Sequence, residues 1–415
     1  MRNSFREIAA FMDPVDTARG LRKLLGMHLL EEGDGYREVW RRHNHPNVIT
    51  ERFFAFNTYL MDIPGAGRKP AVEYRDAEIG DFTEENFDIC CLSEVWLREE
   101  RKDLLDQWPD SVHVEHESGR ASLINLTAML GSSGLMTISR SHEIHHKNFY
   151  EYKNESGADK NAKKGCLLTV LMPIANRSSR IPSSLNIYST HMNASGEAKN
   201  KQLFELVKFV WETMDKVAGD TSRPGRPGLN NNILCGDFNL DRYQRGGLLI
   251  TDEILEWSEV RDLPGHLQRA VNHQVLPDGT VTNIVIGAKS AFSLLRDLLS
   301  VLGFKDLWST RNGTAGYTSN LPTSPIASNV PIRDSEFPFY CDDNVIPNTR
   351  TSDRPTAIDH MFVTGSTSST AFTIDFTRPR RPFTIRPDDA IDLDEIRFMS
   401  DHLGISTTIM LTPKQ

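Results

Sequence analysis

Two short segments of this chain contain the residue types that chemistry on a phosphate ester requires. The apolar segment Ile233–Asn239 presents Asp237 and Asn239 two positions apart, and Asp401 and His402 stand just before the last apolar run of the chain. In an extended chain, side chains at positions i and i+2 point to the same face. A carboxylate, an amide and an imidazole at strand ends can hold a divalent metal and activate water.

Other apolar segments end in polar side chains of the same kinds, so we predict that strands position them. Strand-like segments run over Phe54–Asn57, Phe87–Trp96, Gly134–Arg140, Tyr188–His191, Ala357–Val363 and Leu403–Leu411. Four of them carry Asn57, Glu94, His191 and Asp359, respectively. Each is short and rich in apolar, β-branched or aromatic residues, which is typical of buried strands.

Helical patterns separate these strands. Lys199–Val217 has apolar residues at helical spacing, and shorter helices are predicted over Asp252–Asp262 and Ala291–Leu302. The stretch 222–232 is rich in glycine and proline, and 320–355 in proline, serine and asparagine, so both predict loops. Strands that alternate with helices indicate an α/β fold.

The ordered series of segments, from about residue 53 to about residue 411, resembles the endonuclease/exonuclease/phosphatase superfamily, also called deoxyribonuclease-I-like. This resemblance implies a four-layer α/β sandwich of two packed mixed β-sheets flanked by helices. It divides the chain into an N-terminal helical extension, 1–50, and a catalytic domain, 51–415, with insertions around 241–300 and 320–355. The extension contains Val15–Leu30, either a helix packed on the main domain or a basic amphipathic surface that touches lipid.

The resemblance implies a divalent metal as cofactor. Glu94 is the main expected ligand, with Asn57 and Asp401 beside it. Magnesium is the expected ion, because it prefers few oxygen ligands and keeps several waters; manganese and calcium are alternatives. Ser93 stands where family members usually carry glutamine, which removes an amide but not the metal carboxylate.

The resemblance also implies catalytic roles. His402 would be the general base on the attacking water, since an imidazole pKa near ~6.5 suits proton transfer at neutral pH. Asp359 would orient it. His191 would bind or protonate a phosphate oxygen, and Asp237 and Asn239 would position the water and the phosphate. Proton carrier and second metal ligand are alternative roles for Asp237. Because no cysteine or serine nucleophile is required, we expect direct in-line attack by water.

One segment resembles a particular branch of the superfamily. Asp159–Val170 contains Asp159 and Lys164-Gly, and it lies between the Ser-Arg strand ending at Arg140 and the Thr-His strand ending at His191. This arrangement is similar to that of neutral and bacterial sphingomyelinases. It implies a sphingomyelinase-type phospholipase C that hydrolyses sphingomyelin to ceramide and phosphocholine. Lys164 would interact with Asp159 or with a substrate phosphate, although a solvated strand start is an equal reading of that lysine considered alone.

Three alternatives stay open. A metal-dependent nuclease acting on DNA or RNA would share the same core residues, but a net charge of −9 argues mildly against it. An inositol-phosphate phosphatase would carry a Pro-Ala-Trp-Cys-Asp-Arg type run, which Ser352–Asp359 resembles only loosely. A binding or scaffold protein without catalysis would normally lack a metal carboxylate or a histidine, whereas the whole set is present.

Composition places the chain among globular proteins, with 39% hydrophobic and 25% charged residues. No run reaches the ~18 apolar residues needed to span a bilayer, and we identify no signal peptide. We therefore expect a cytoplasmic or peripheral membrane location and no obligate protein partner. A lipid substrate would require peripheral docking, for which Leu21–Leu30 and Ala291–Phe304 are candidate contacts.

Cysteine and histidine usage is less informative. The five cysteines favour buried reduced thiols over a disulfide framework. His142, His145 and His146 form a His-x-x-His-His pattern that suggests zinc, but no further ligand is spaced to complete a tetrahedral set. A solvated loop is the favoured interpretation of this segment.

Overall fold

The computed structural model describes residues 49–60, 62–63, 67–68, 72–109, 111–117, 132–156, 162–173, 184–194, 196–214, 231–243, 248–307, 357–364, 368–375, 402 and 404–411. Several predictions fall outside these residues. They are the helix over Val15–Leu30 with the candidate lipid contact Leu21–Leu30, most of the loop at 222–232, the loop at 320–355, and the side chains of Asp159 and Asp401.

The strands alternate with helices, as the sequence predicted. The strands are β1 (Ile49–Leu60), β2 (Asp62–Ile63), β3 (Gly67–Arg68), β4 (Ile89–Val95), β5 (Val112–Glu117), β6 (Ser132–Ser139), β7 (His142–Glu151), β8 (Gly165–Pro173), β9 (Leu185–His191), β10 (Asn231–Asp237), β11 (Leu248–Leu249), β12 (His273–Val275), β13 (Val281–Val285), β14 (Ala288–Lys289), β15 (Lys305–Asp306), β16 (Asp359–Val363), β17 (Ser368–Asp375) and β18 (Gly404–Leu411). The helices are α1 (Val72–Asn86), α2 (Arg98–Asp106), α3 (Ala198–Met214), α4 (Asp252–Leu255), α5 (Ser258–Arg261), α6 (Gly265–Asn272) and α7 (Ala291–Val301).

Two six-stranded sheets form the centre of the described structure. The first has the order β17-β18-β1-β4-β6-β5, and the second the order β15-β16-β10-β9-β8-β7. Each sheet contains one parallel pair, β1 with β4 and β9 with β10, among antiparallel neighbours. Both sheets are therefore mixed, as the resemblance implied.

The alternation of side chains along β1 shows how the sheets become layered. Phe53 and Ala55 face a core between the two sheets, whereas Phe54 and Phe56 face a second core under α1 and α2. Successive side chains of a strand point to opposite faces, so a strand that is apolar at every position must be covered on both. Helices α3, α6 and α7 cover the outer face of the second sheet. The result is the predicted four-layer sandwich.

Helix α3 forms where the sequence predicted it. Leu203, Leu206, Val207, Val210 and Met214 are buried against the second sheet, at the spacing of one helix face. The described part of the helix begins at Ala198 and ends at Met214.

Helix α7 corrects one prediction. The segment Ala291–Phe304 was a candidate lipid contact, but Phe292, Leu295 and Leu299 of this helix are buried within the protein. Burying such side chains stabilises by roughly 1.5–3 kcal/mol each, so exposing them to lipid would sacrifice the outer core. None of the helices in the described residues combines the length and apolar character that crossing a bilayer requires.

The histidine cluster corrects another prediction. His142, His145 and His146 lie in strand β7, at the edge of the second sheet, and not in a solvated loop. His142 is fully buried, while the other two are exposed. Cys90, Cys91, Cys166 and Cys235 are buried free thiols, as predicted.

Candidate active site

Strand ends bring the predicted side chains together at one end of the sandwich. In the second sheet, Asp237 is the register partner of His191 on parallel β9 and of Asp359 on antiparallel β16. In the first sheet, Asn57 and Glu94 lie at the carboxyl ends of parallel β1 and β4. Parallel strands place their carboxyl ends at the same edge, which explains this convergence.

The backbone around this site contains unusual conformations. Glu94 and Asn239 have φ of 61° and 51°, in the left-handed region that non-glycine residues rarely adopt. Gly236 has φ of 132°, and a Cβ there would lie 2.1 Å from the carbonyl oxygen of Thr190. Glycine is therefore required before Asp237, because only a residue without a side chain allows β9 and β10 to approach this closely.

His402 and Asp359 form a buried hydrogen-bonded pair. His402 Nδ1 lies 2.8 Å from Asp359 Oδ2, and both residues are buried. An ionised carboxylate only accepts hydrogen bonds, so Nδ1 carries the proton and Nε2 is the basic nitrogen of the neutral ring. Nε2 is 3.9 Å from Asp237 Oδ2. The pair therefore has the arrangement of a general base held by a carboxylate.

Asp237 is held by two amide donors. Asn57 Nδ2 donates to Asp237 Oδ2 at 3.1 Å and to Glu94 Oε1 at 3.3 Å. The backbone N–H of Asn239 donates to Asp237 Oδ1 at 2.9 Å. Burial raises the pKa of Asp237 to about 7, with the neighbouring Asp359 carboxylate adding to the shift. This carboxyl group therefore changes protonation state close to neutral pH.

Lys164 and His191 form a second buried pair. Lys164 Nζ lies 2.7 Å from His191 Nε2 and 3.2 Å from the carbonyl oxygen of Met192. Burial lowers the pKa of His191 well below its usual range, and the charges of Lys164 and His402 lower it further. A neutral ring can accept from an ammonium at Nε2. The geometry therefore makes Lys164 the cation, and it favours a neutral His191 over one that protonates a phosphate oxygen.

The imidazole of His191 lies between the two carboxylates. Its Nε2 is 3.6 Å from Glu94 Oε1 and 3.6 Å from Asp237 Oδ2. Lys164, His191 and Asp237 thus line one polar centre with Glu94 at its more exposed side. The other predicted partner of Lys164, Asp159, is beyond the described residues.

The donor set is compatible with a divalent metal. Among the described residues, Asp237, Asp359 and His402 place ligand atoms within 4.8 Å of one another. Asp359 and His402 already form a hydrogen bond with each other. These three residues are therefore better explained as a general base with two neighbouring carboxylates than as a set of metal ligands. Glu94 and Asp237, which share the Asn57 amide, offer the oxygen ligands that magnesium prefers. Asn57 presents its amide nitrogen to both, and Asp401 is not among the described residues.

Lys199 is a site residue that the sequence did not indicate. Its Nζ donates to the carbonyl oxygen of Asn239 at 3.2 Å and lies 3.4 Å from that of Ala194. Asn239 Nδ2 in turn donates to the carbonyl oxygen of Met192 at 2.9 Å. Burial lowers the pKa of Lys199, which Asp237 and Asp241 oppose. Its position in the first turn of α3, directly after the loop that follows His191, is the signal that could have identified it.

Comparison with solved structures supports the fold, whereas comparison by sequence finds no match. No protein-family model matches the chain, and no curated protein matches it. Beta toxin from Staphylococcus aureus matches with a TM-score of 0.50 at 13% identity over 86% of this chain and 99% of that one. A variant of beta toxin with bound magnesium ions matches with a TM-score of 0.50 at 13% identity over 88% and 100%.

A sphingomyelinase C from Streptomyces griseocarneus matches with a TM-score of 0.48 at 13% identity over 87% of this chain and 99% of that one. At these identities the likeness concerns the arrangement of strands and helices. With two mixed sheets packed between helices, the chain has the deoxyribonuclease-I-like fold that its sequence predicted.

Proposed function

We propose that this chain is a divalent-metal-dependent phosphoric diester hydrolase of the sphingomyelinase type, a phospholipase C that converts sphingomyelin and water to ceramide and phosphocholine. The observation that carries the hydrolase proposal is the buried His402–Asp359 pair, whose basic nitrogen faces Asp237 across 3.9 Å. A base held by a carboxylate, beside a cluster of carboxylates and a buried ammonium, suits attack of water on a phosphate diester.

In this proposal His402 Nε2 removes a proton from the attacking water. The oxygen of that water bonds to phosphorus, the bond from phosphorus to the ceramide oxygen breaks, and the departing oxygen takes up one proton. Asp359 accepts the Nδ1–H of His402 throughout, so it holds the ring orientation and stabilises the imidazolium that forms. Burial of both groups strengthens this electrostatic contribution.

Negative charge on the phosphate oxygens needs cations nearby. Lys164 is buried at the centre of the site, with His191 and the Met192 carbonyl accepting from its ammonium. Asn239, fixed by Lys199 and Met192, is the proposed phosphate-positioning amide. A divalent cation, held by Glu94 and Asp237 with Asn57 and Asp401 nearby, would neutralise charge on a phosphate oxygen. Magnesium is proposed because beta toxin, which has this fold, can bind it.

The sphingomyelinase branch is proposed from the segment that carries Lys164. The sequence around Asp159 and Lys164 resembles that branch, and the lysine is only 4% exposed and lies beside His191. This burial argues against the alternative that Lys164 merely solvates the start of β8. A lysine withdrawn from water needs a function or strong partners to offset the desolvation.

The test compares substrates with one preparation. Phosphocholine release from sphingomyelin in mixed micelles with magnesium is measured beside nicking of supercoiled DNA and phosphate release from inositol polyphosphates. Release of phosphocholine that EDTA abolishes, with DNA intact, is the expected result. DNA nicking without lipid cleavage would replace the proposal with a nuclease, and turnover of none of the three would remove it.

Lys164 and Lys163 offer a matched pair of variants. Lys163 is adjacent but interacts with Glu151 at 3.3 Å on the surface. We expect Lys164→Met to reduce sphingomyelin turnover by about 100-fold, the size of the loss of one oriented electrostatic donor. Lys163→Met should retain turnover within a factor of about 2, since exposed ion pairs contribute little. Equal activities of the two variants would contradict the role of Lys164.

A further inference from the structure

We infer that His360 is a positioning residue: its ring N–H holds the loop that follows Asp237 against the strand that carries Asp359. His360 Nε2 lies 2.8 Å from the carbonyl oxygen of Leu240, and the residue is fully buried. A carbonyl oxygen can only accept, so Nε2 must carry the hydrogen. The inference rests on the proposed roles of Asp237 and Asp359, and it adds a residue that touches no substrate.

The alternation of side chains along β16 places His360 on the face of the sheet opposite the site. Asp359 and His360 are consecutive in β16, so their side chains point to opposite faces of the sheet. Asp359 turns towards His402, whereas His360 turns to the outer layer, where the rings of Phe292 and Phe238 lie 4.3 Å and 5.5 Å from it. The ring therefore combines its hydrogen bond to the Leu240 carbonyl with contacts to aromatic rings.

Backbone hydrogen bonds join the same two segments. The N–H of Phe238 donates to the carbonyl oxygen of Ile358 at 3.0 Å, and the N–H of Arg242 to that of Ala357 at 3.0 Å. Asp241 Oδ1 accepts from the N–H of Ala357 at 3.2 Å. The loop 238–242 is thus fastened to residues 357–360 at several points, and His360→Leu would remove the His360–Leu240 bond while leaving the groups that form the other bonds unchanged.

The segment between β10 and β16, which contains α7, supports this arrangement. The guanidinium of Arg242 lies 4.6 Å over the ring of Phe292 and pairs with Asp306. Phe292 itself belongs to α7 and contacts His360. Helix α7 therefore contributes a wall against which the histidine is held, which gives the insertion between β10 and β16 a connection to the catalytic end.

The functional consequence concerns the spacing between Asp237 and the base. Asp237 lies on β10 before the loop, and His402 depends on Asp359, which lies on β16. If the Leu240 carbonyl loses its donor, the loop keeps its hydrogen bonds to residues 357–358 but loses its bond to the residue next to Asp359. We expect the 3.9 Å separation of His402 Nε2 from Asp237 Oδ2 to change as the loop adjusts. Misplacement by about 1 Å can cost on the order of 100-fold in rate.

The kinetic test uses two substitutions of similar size. His360→Gln keeps an N–H donor near the position of Nε2, whereas His360→Leu removes it. With magnesium and bis(4-nitrophenyl) phosphate, a soluble diester, we expect kcat of the leucine variant to fall about 10- to 100-fold with KM changed less than about 3-fold. The glutamine variant should recover most of kcat. Equal loss in both folded variants would overturn the inference, as would wild-type kcat in the leucine variant.

A second readout does not depend on turnover, so it separates this inference from failure of the proposed function. Nitrogen-15 NMR of labelled histidine should show His360 as the Nε2–H tautomer, assigned by its absence from the His360→Gln spectrum. The ring signals of His402 should move in His360→Leu but stay in place in His360→Gln. Unmoved His402 signals in the leucine variant would overturn the inference, even in a protein that cleaves none of the tested diesters.

Folding is the remaining control. If His360→Leu does not fold, His360→Asn replaces it, because its shorter amide keeps a polar group but does not reach the Leu240 carbonyl. Thermal unfolding identifies the folded variants. His402 signals that move in the asparagine variant and not in the glutamine variant support the inference, and identical spectra of the two contradict it.

Discussion

His402 and Asp359 are the two residues on which the proposed chemistry depends most. The 2.8 Å bond between them fixes the tautomer in which Nε2 is unprotonated. The neighbouring Asp237 lies 3.9 Å from that nitrogen, close enough to stabilise a positive ring without bonding to the neutral one. The tautomer and charge of His402 therefore depend on Asp359 and Asp237, and the charges of these carboxyl groups depend on His402.

Removal of the base should reduce turnover strongly and leave the fold intact. We expect His402→Ala to lower kcat by about 10²–10⁴-fold, the range for a general base. Asp359→Asn should lower kcat by at least about 100-fold, because an amide can hold the wrong tautomer. Steady-state kinetics and substrate binding at equilibrium are the measurements, with KM expected to change little. Near-wild-type kcat in either purified variant would remove this pair from the mechanism.

Asp237 should limit stability at neutral pH. Its folded pKa of about 7 lies above the ordinary 3.8, so the native state binds more protons than the unfolded state between those values. Stability therefore falls as pH rises through this window, and Asp237→Asn does not suffer that loss. Without metal, we expect the variant to gain about 1–3 kcal/mol in unfolding free energy near pH 8 and almost nothing near pH 4.

Denaturant unfolding with EDTA present measures this gain. Asp262→Asn is the control, because Asp262 is exposed, pairs with Lys208, and has a lowered pKa. No stabilisation by Asp237→Asn at alkaline pH would mean that the carboxylate is better solvated or better paired than the structure indicates.

For individual residues, the sequence indicated which side chains could form the site better than it indicated which residues they contact. Asn57, Glu94, His191 and Asp237 were selected because each ends or nearly ends an apolar segment of the sequence, and Asp359 because an apolar segment carries it. The contact of Lys164 with His191 and that of Lys199 with Asn239 could not be predicted. Both contacts join segments from different strands and loops, and no local pattern encodes the register that brings them together.

Among the elements, β10 has the strictest steric requirement. Gly236 lies directly before Asp237, and its φ of 132° combines with a backbone oxygen 2.1 Å from the Cβ position. We expect Gly236→Ala to cost about 2 kcal/mol or more in stability and to lower kcat, since strain here displaces Asp237. Thermal and denaturant unfolding with kinetics on the folded fraction measure both effects.

Gly287→Ala is the matched control for this substitution. Gly287 has no atom within 4 Å of its Cβ position. It should be neutral or gain up to about 1 kcal/mol, because alanine reduces the freedom of the unfolded chain. Equal effects of the two substitutions would show that β9 and β10 can separate at this point without cost.

Prediction of elements was most successful where the period was strong. Helix α3 was identified from its apolar spacing, and β18 from the apolar run after His402. Strand β7 was misread as a loop because its polar residues, His145 to Asn148, face solvent at a sheet edge. An edge strand buries only part of one face, so its sequence lacks the apolar run by which central strands are recognised.

For the whole molecule, the proposed metal should act as a stabilising ligand. Any ligand that binds only the native state adds about 2.7 kcal/mol at 100 times its Kd. We therefore expect magnesium to raise Tm, EDTA to reverse the increase, and Glu94→Gln to remove most of it. Glu143→Gln, an exposed position on β7, should retain the full increase. A magnesium response unchanged in Glu94→Gln would remove Glu94 as a ligand.

For the whole molecule, an α/β fold could be predicted from the sequence pattern, but the surface against which α7 packs could not. Strands that alternate with helices indicated an α/β fold, and the resemblance to the superfamily implied two sheets between helices. The apolar residues of α7 fitted a lipid contact equally well, because a hydrophobic helix face has the same sequence pattern against protein or bilayer. Only its packing against His360 and Phe362 decided between them.

The buried cysteines have a consequence for how this molecule opens. Cys90 lies in the core under α1, Cys91 and Cys235 lie between the sheets, and Cys166 lies in the core under α3. Burial raises the pKa of the Cys90, Cys166 and Cys235 thiols, and thiols react as thiolates, so alkylation must wait until the surrounding layer opens. Each of the three cores thus contains at least one cysteine whose rate of alkylation reports when that core opens. The order in which cysteine peptides become alkylated would reveal which event comes first, separation of the two sheets or detachment of the helices from the sheets.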